Sequence, residues 1–129
     1  MDSIKKSALN KELLPGRIIQ KAVGMESPIK SRKMTMGFAT YCKECGSMSP
    51  HNHAEETVYI VRSDRGYVRF GESVDQLSGQ IPLQAGMTLH FDELEWHVFE
   101  CDEGGEVEII FFYGQVDNIR PEEIMHNQK

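Results

Sequence analysis

The chain has 129 residues with a net charge of −6, 26% charged and 40% hydrophobic residues. That is enough chain for one folded domain with its own core. An acidic balance with no basic stripe excludes the usual nucleic-acid binder, since nothing is set to neutralise phosphates. No apolar run is long enough to span a bilayer and Met1-Asp2-Ser3 opens no secretory signal, so a cytoplasmic protein is expected.

In chain order, residues 2–14 carry Ile4, Ala8, Leu9, Leu13 and Leu14 at spacings that predict a short helix, ended by Pro15-Gly16. Arg17 to Val23 predicts a strand, followed by a polar loop from Met25 to Lys33. Met34 to Cys42 predicts a second strand, with Gly37 as a bulge or close approach. Glu56 to Ser63 and Tyr67 to Phe70 are β-branched and aromatic, and Asp64-Arg65-Gly66 between them predicts a hairpin. Ile81 to Leu83, Met87 to Phe91 and Trp96 to Cys101 predict further short strands. Gly104-Gly105 predicts a turn into Glu106 to Tyr113, whose alternation sends Val107, Ile109, Phe111 and Tyr113 inward and Glu106 and Glu108 to water. The tail from 115 to 129 predicts one helical turn that frays, with a solvated His126.

Many short strands and almost no helix predict an all-β sandwich or barrel: a core over about 17–114, an arm over 1–16 and a tail over 115–129, all in one domain. Sheet edges in such a fold are exposed, and the strand from Arg17 to Val23 could pair across a two-fold, so a homodimer is expected.

The chemistry-bearing stretch is Gly46 to Tyr59, with its counterpart at Glu95-Trp96-His97. His51 and His53 stand two apart, so an extended backbone turns both imidazoles to one face. Glu56 follows within reach, and His97 sits on another apolar run that can fold back beside the first. Three imidazoles and a carboxylate suit Zn, Fe, Ni, Cu, Co or Mn. The competing reading is a solvated H-x-H pair in a polar stretch.

Other residues read as structural. Cys42-Lys-Glu-Cys45 lacks the second ligand pair of a zinc knuckle and the βαβ context of a thioredoxin-like site, and reads as two thiols of a strand and its turn. Three cysteines in all fit a reducing compartment. Cys101 shares parity with His97 and Phe99 and reads as core, whereas His90 points to the opposite face from Leu89 and Phe91. Trp96 reads as packing on the barrel flank. Tyr59, Tyr67 and Tyr113 are possible proton donors, of which parity sends Tyr113 inward.

With those residues placed, the chain resembles the cupin superfamily, small jelly-roll barrels built as a double-stranded β-helix. Its first motif resembles Gly46, His51, His53, Glu56 and Tyr59-Ile60-Val61, and its second resembles Pro82 to Gly86, Met87 to Phe91 and Trp96-His97. The similarity covers roughly residues 34–114. It implies one divalent transition metal (Fe, Mn, Zn, Ni or Co) held by His51, His53, Glu56 and His97. Only two residues separate His53 from Glu56, which makes Glu55 a competitor; the register of Glu56 before Tyr59-Ile60-Val61, and its parity with Val58 and Ile60, favour Glu56. Ser63 to Gly66 stands in place of the family's simple glycine turn, and Asp92-Glu93 in place of prolines.

The resemblance implies isomerase, dioxygenase, decarboxylase or lyase chemistry on a small oxygen-rich metabolite, with Glu55, Tyr113 or Glu95 as acid/base. The alternative is a non-catalytic, metal-dependent barrel that binds or senses such a molecule.

Overall fold

The computed structural model describes residues 1–46 and 48–114. The expected tail turn and His126 lie outside them. The described chain is one sheet of eight strands, antiparallel except where β3 joins: β1 (Glu12–Leu14), β2 (Arg17–Gly24), β3 (Ile29–Lys30), β4 (Thr35–Cys42), β5 (Glu56–Gly71), β6 (Gly79–Pro82), β7 (Thr88–Phe91) and β8 (Trp96–Tyr113). The order across the sheet is β1-β2-β4-β8-β5-β6, with β3 on β2 and β7 on β5.

The expected N-terminal helix does not form. Lys6–Ala8 make a single 3-10 turn, and Glu12–Leu14 instead pair with Arg17–Ile19. Pro15-Gly16 is the reason. Leu14 faces Arg17 across a two-residue turn with proline first and glycine second, and Gly16 takes the positive φ of 79° that the second position of a type II turn demands. On the side of β2 away from β4, β1 covers Arg17–Ile19 and β3 covers Val23–Gly24, so among the described residues most of the edge expected to pair with a second copy is already taken within the chain.

The second correction concerns the hairpin. Residues 56–71 run through as one bent strand, and so do residues 96–113. Asp64 pairs with Glu106 and Gly66 with Cys101, so Arg65 alone faces residues 102–105. This is a bulge that turns both strands together without reversing either. Arg65 takes a φ of 57°, and any Cβ at Gly66 would run into the side chains of Val107 and Ser63. One long ladder, Glu56↔Tyr113 through Gly71↔Trp96, thereby curls the sheet around its own core.

Alternation then fills the interior as expected. Glu56, Val58 and Ile60 of β5 and Val107, Ile109, Phe111 and Tyr113 of β8 are buried, and all but Glu56 pack in one cluster with Ile19, Ala39, Tyr41, Phe91 and Phe99. Gly37 is a point of close approach: a Cβ there would lie 2.8 Å from both the Gln20 carbonyl oxygen and the Phe111 ring. Glu108 departs from the expected solvated face. Lys6 of the N-terminal arm and Arg62 both bind its carboxylate, which leaves its side chain 12% exposed, while Glu106 remains 40% exposed. No helix among the described residues is long and apolar enough to cross a membrane.

Candidate metal centre

Two chain segments meet to form the centre. His51 bridges His97 through reciprocal backbone hydrogen bonds of 3.0 Å, from His51 N to the His97 carbonyl and from His97 N to that of His51. The Leu94 N–H donates to the His53 carbonyl at 2.8 Å, and the Asn52 amide donates to the Leu94 carbonyl at 3.1 Å. These bonds lock the H-x-H segment onto the start of β8. The rings of His51 and His53 are 5.3 Å apart, and that of His97 stands 4.6 and 4.9 Å from them. One ligand nitrogen from each of the three lies within 4.8 Å of the others.

His53 and His97 are almost completely buried. In each, Nδ1 lies 2.9 Å from a backbone carbonyl, of Ala54 and Glu95 respectively. A carbonyl oxygen only accepts, so Nδ1 is the protonated nitrogen and donates, leaving the Nε2 lone pair to face inward in the neutral ring. Both Nε2 atoms converge on Glu56. Its Oε1 is 3.3 Å from that of His53 and 3.5 Å from that of His97. With the proton on Nδ1, each Nε2 turns a lone pair and not an N–H toward that oxygen, and both Nε2 atoms are buried without a hydrogen-bond partner among the described residues. Burial pushes the Glu56 carboxyl up; only an imidazole of His53 or His97 protonated at Nε2 would outweigh it and hold the carboxyl low, at about 2.

Orphaned buried nitrogens beside a buried carboxylate are costly unless something else occupies their lone pairs. A divalent transition metal fits that need, because imidazole and carboxylate are its usual donors and the Nδ1–carbonyl bonds are the outer support such ligands carry.

Aromatic rings wall the group. Phe91 stacks on His97 with centroids 3.9 Å apart, and the ring of Tyr113 meets that of His53 edge-on at 4.8 Å. The sequence offers no direct sign of the Phe91 stack beyond the parity of β7, nor of the two orienting carbonyls, which are backbone atoms.

The remaining candidates separate cleanly. Tyr113 is buried beside the histidines. Glu55 points outward instead, its side chain 66% exposed and hydrogen-bonded to His90. Strand parity is the reason, since its neighbour Glu56 takes the inward position opposite Phe91. The side chain of Glu95 accepts from the Asp92 N–H at 3.1 Å and closes the turn before β8; what Glu95 gives to the centre is its carbonyl. Tyr67 donates to Glu100, and Tyr59 is exposed on the outer face. Cys101 is buried as expected, whereas Cys42 and Cys45 are joined as a disulfide and are not the two thiols expected.

No family profile matches the sequence, and no curated protein matches it. The likeness is to solved structures. The polyketide cyclase RemF from Streptomyces resistomycificus superposes with a TM-score of 0.68 at 13% identity, over 100% of this chain and 94% of that one. The Lactobacillus farciminis oxalate decarboxylase formate complex gives 0.67 at 13%, over 94% of this chain and 36% of that one. Fe(II)-HppE with the alternative substrate (S)-1-HPP gives 0.63 at 11%, over 88% and 60%. All three are cupin-fold proteins. The chain is a cupin-type barrel. It spans nearly all of RemF but under two thirds of the other two. The cupin barrel explains the long β5–β8 ladder: its curl brings β8's first residues, with His97, over the H-x-H segment.

Proposed function

We propose that this cupin barrel is a metalloenzyme that holds one divalent transition metal through His51, His53, His97 and Glu56 and acts on a small oxygen-rich metabolite. The observation that carries it is the pair of buried, unpartnered Nε2 atoms aimed at a buried carboxylate. The Fe(II) named with HppE, and the oxalate and formate named with the decarboxylase, support the class of metal and ligand.

When bound, such a metal supplies Lewis acidity toward a substrate oxygen and lowers the pKa of a bound water. The chain's own residues do the rest. The Ala54 and Glu95 carbonyls fix which nitrogen of each imidazole faces the site. Glu56 offsets one positive charge. Phe91, Phe99 and Phe111 keep water from the inner wall. Tyr113 is the candidate beside the histidines able to give or hold a proton at its Oη; Glu55 and Glu95 direct their carboxylates elsewhere.

The largely apolar wall favours a second reading, a metal-dependent barrel that binds its small molecule without turning it over. Tyr113→Phe separates the two. An enzyme that uses the phenol loses turnover with metal content unchanged, while a binding barrel keeps its ligand affinity within about twofold. A second copy of the chain belongs to the proposal as well, and β1, with Leu13 77% exposed, is the edge on which it would pair.

Metal analysis of His97→Ala and His90→Ala beside the parent tests the ligand set. Loss of the metal equivalent from the first and its retention in the second are expected. Full retention in His97→Ala would refute the assignment.

A further inference from the structure

The C-x-x-C pair is the one sequence motif that the metal centre does not use. Cys42 ends β4, and Cys45 ends the short 3-10 turn that follows. Their disulfide closes a loop of the smallest useful size, and the chain-entropy gain of a cross-link grows with the loop it closes. Stapling the fold therefore explains it poorly.

Its surroundings point elsewhere. Both cysteines are half-buried and not sealed in the core. Cys42 lines a cavity of about 360 Å³ together with Tyr41, Lys43, Met48, Phe99 and Cys101. The pair also stands at the root of the segment that delivers the first two histidines. The Cys45 carbonyl accepts from the Gly16 N–H at 3.1 Å, the Glu44 carboxylate accepts from the Gly104 N–H at 3.0 Å, and the chain next meets a fixed point at the His51–His97 bridge. Between those anchors Met48 packs against the core, with its Cβ so close to Gly16 that no Cβ fits there.

We propose that Cys42 and Cys45 form a reversible redox site whose substrate is a dithiol, and that its disulfide state tightens the metal centre by holding the segment from Met48 to His53. In the reducing step, one thiolate of the dithiol attacks a sulfur of the Cys42–Cys45 bond and releases the other cysteine. The second thiol of the reductant then closes its own disulfide and releases the second cysteine. Two electrons and two protons pass to Cys42 and Cys45, and the dithiol leaves oxidised. Opening the bond frees the turn, so a metal must then order more chain to assemble its ligands, and its affinity falls. Linkage is reciprocal: whatever the disulfide adds to metal affinity, the metal adds to the disulfide's resistance to reduction. This second half rests on the metal reading above.

The full chain is equilibrated in mixtures of oxidised and reduced dithiothreitol, quenched, unfolded and alkylated, and the labels are counted by mass. The expected count is one at the oxidising end, on Cys101, and three at the reducing end, with the β circular-dichroism spectrum unchanged. A count that stays at one or at three throughout overturns the redox site. Manganese(II), a hard ion that avoids thiolates, then reports the linkage by electron paramagnetic resonance. The oxidised chain should bind it about tenfold more tightly than either the reduced chain or the Cys42→Ser/Cys45→Ser variant. Saturating manganese should move the redox midpoint about 30 mV more negative. Equal affinity in all three overturns the linkage. Should none of the three bind manganese, the linkage fails together with the metal reading, while the label count still decides the redox site.

Discussion

Two clusters of histidine and carboxylate lie back to back across the β5–β7 wall, built from neighbouring residues. Inside, Glu56 and His97 meet His51 and His53; outside, Glu55, His90 and Asp92 gather within ligand distance of one another. By residue type the two are near equivalents, and each would pass a search for metal ligands. Burial separates them. The outer carboxylates and imidazole pair with each other in water, which already satisfies them, so no ion is needed. The inner imidazoles keep two buried nitrogens with no hydrogen-bond partner among the described residues, which is costly unless something else occupies them. A candidate site is told less by which side chains come together than by what they still lack once together.

The comparison breaks most visibly on β7, where Phe91 belongs to the inner wall and His90 to the outer. Phe91→Ala removes a buried ring stacked on His97 and is expected to cost about 3–5 kcal/mol of stability in urea unfolding. His90→Ala, one residue away and exposed, should stay within about 0.5 kcal/mol of the parent. Equal losses would mean that the strand does not divide inside from outside as described. Next in size is the carboxylate pair. Glu56→Gln keeps the shape but removes the charge between the two Nε2 atoms, and should weaken metal binding more than about a hundredfold, beyond what losing an outer-shell partner costs. Glu55→Gln should leave affinity within about twofold. Titration calorimetry with a single divalent metal ranks the two, and the reverse order would move the ligand role to Glu55.

Much of this contrast was legible in the sequence, and for a definite reason. The period of two along β5 puts Glu56 with Val58 and Ile60, and along β7 puts His90 opposite to Phe91, whatever the rest of the fold does. Parity, however, says nothing about where a strand ends. Asp64-Arg65-Gly66 has the composition of a hairpin turn, and only the four residues 102–105 opposite Arg65, far along the chain, make it a bulge. The N-terminal residues misled for the same reason: the pairing of Glu12–Leu14 with β2 is a contact, and weak helical spacing does not reveal it. Glu95 looked like an acid/base because a sequence displays side chains, whereas its carbonyl is what orients His97. The disulfide, too, is a matter of two cysteines meeting, which spacing alone leaves open.

The smallest expected effect sharpens the outer half of the comparison. The Glu55 carboxylate, hydrogen-bonded to His90, holds that imidazole above its ordinary pKa of 6.5 against the opposing effect of desolvation, with the charges of Asp92 and Glu95 adding to it. The folded value is thus higher than the unfolded one. Any stability this pair contributes is fully present below pH 6.5 and disappears as the pH rises through the raised folded value. Because the pair is exposed, salt screens it and its share of the unfolding free energy is slight. The measurement is therefore the titration itself. Proton NMR of the His90 ring should show a raised midpoint that falls toward 6.5 in Glu55→Gln and on addition of salt. A His90 midpoint indifferent to both changes would mean that the outer cluster is not the solvated ion pair that sets it apart from the inner one.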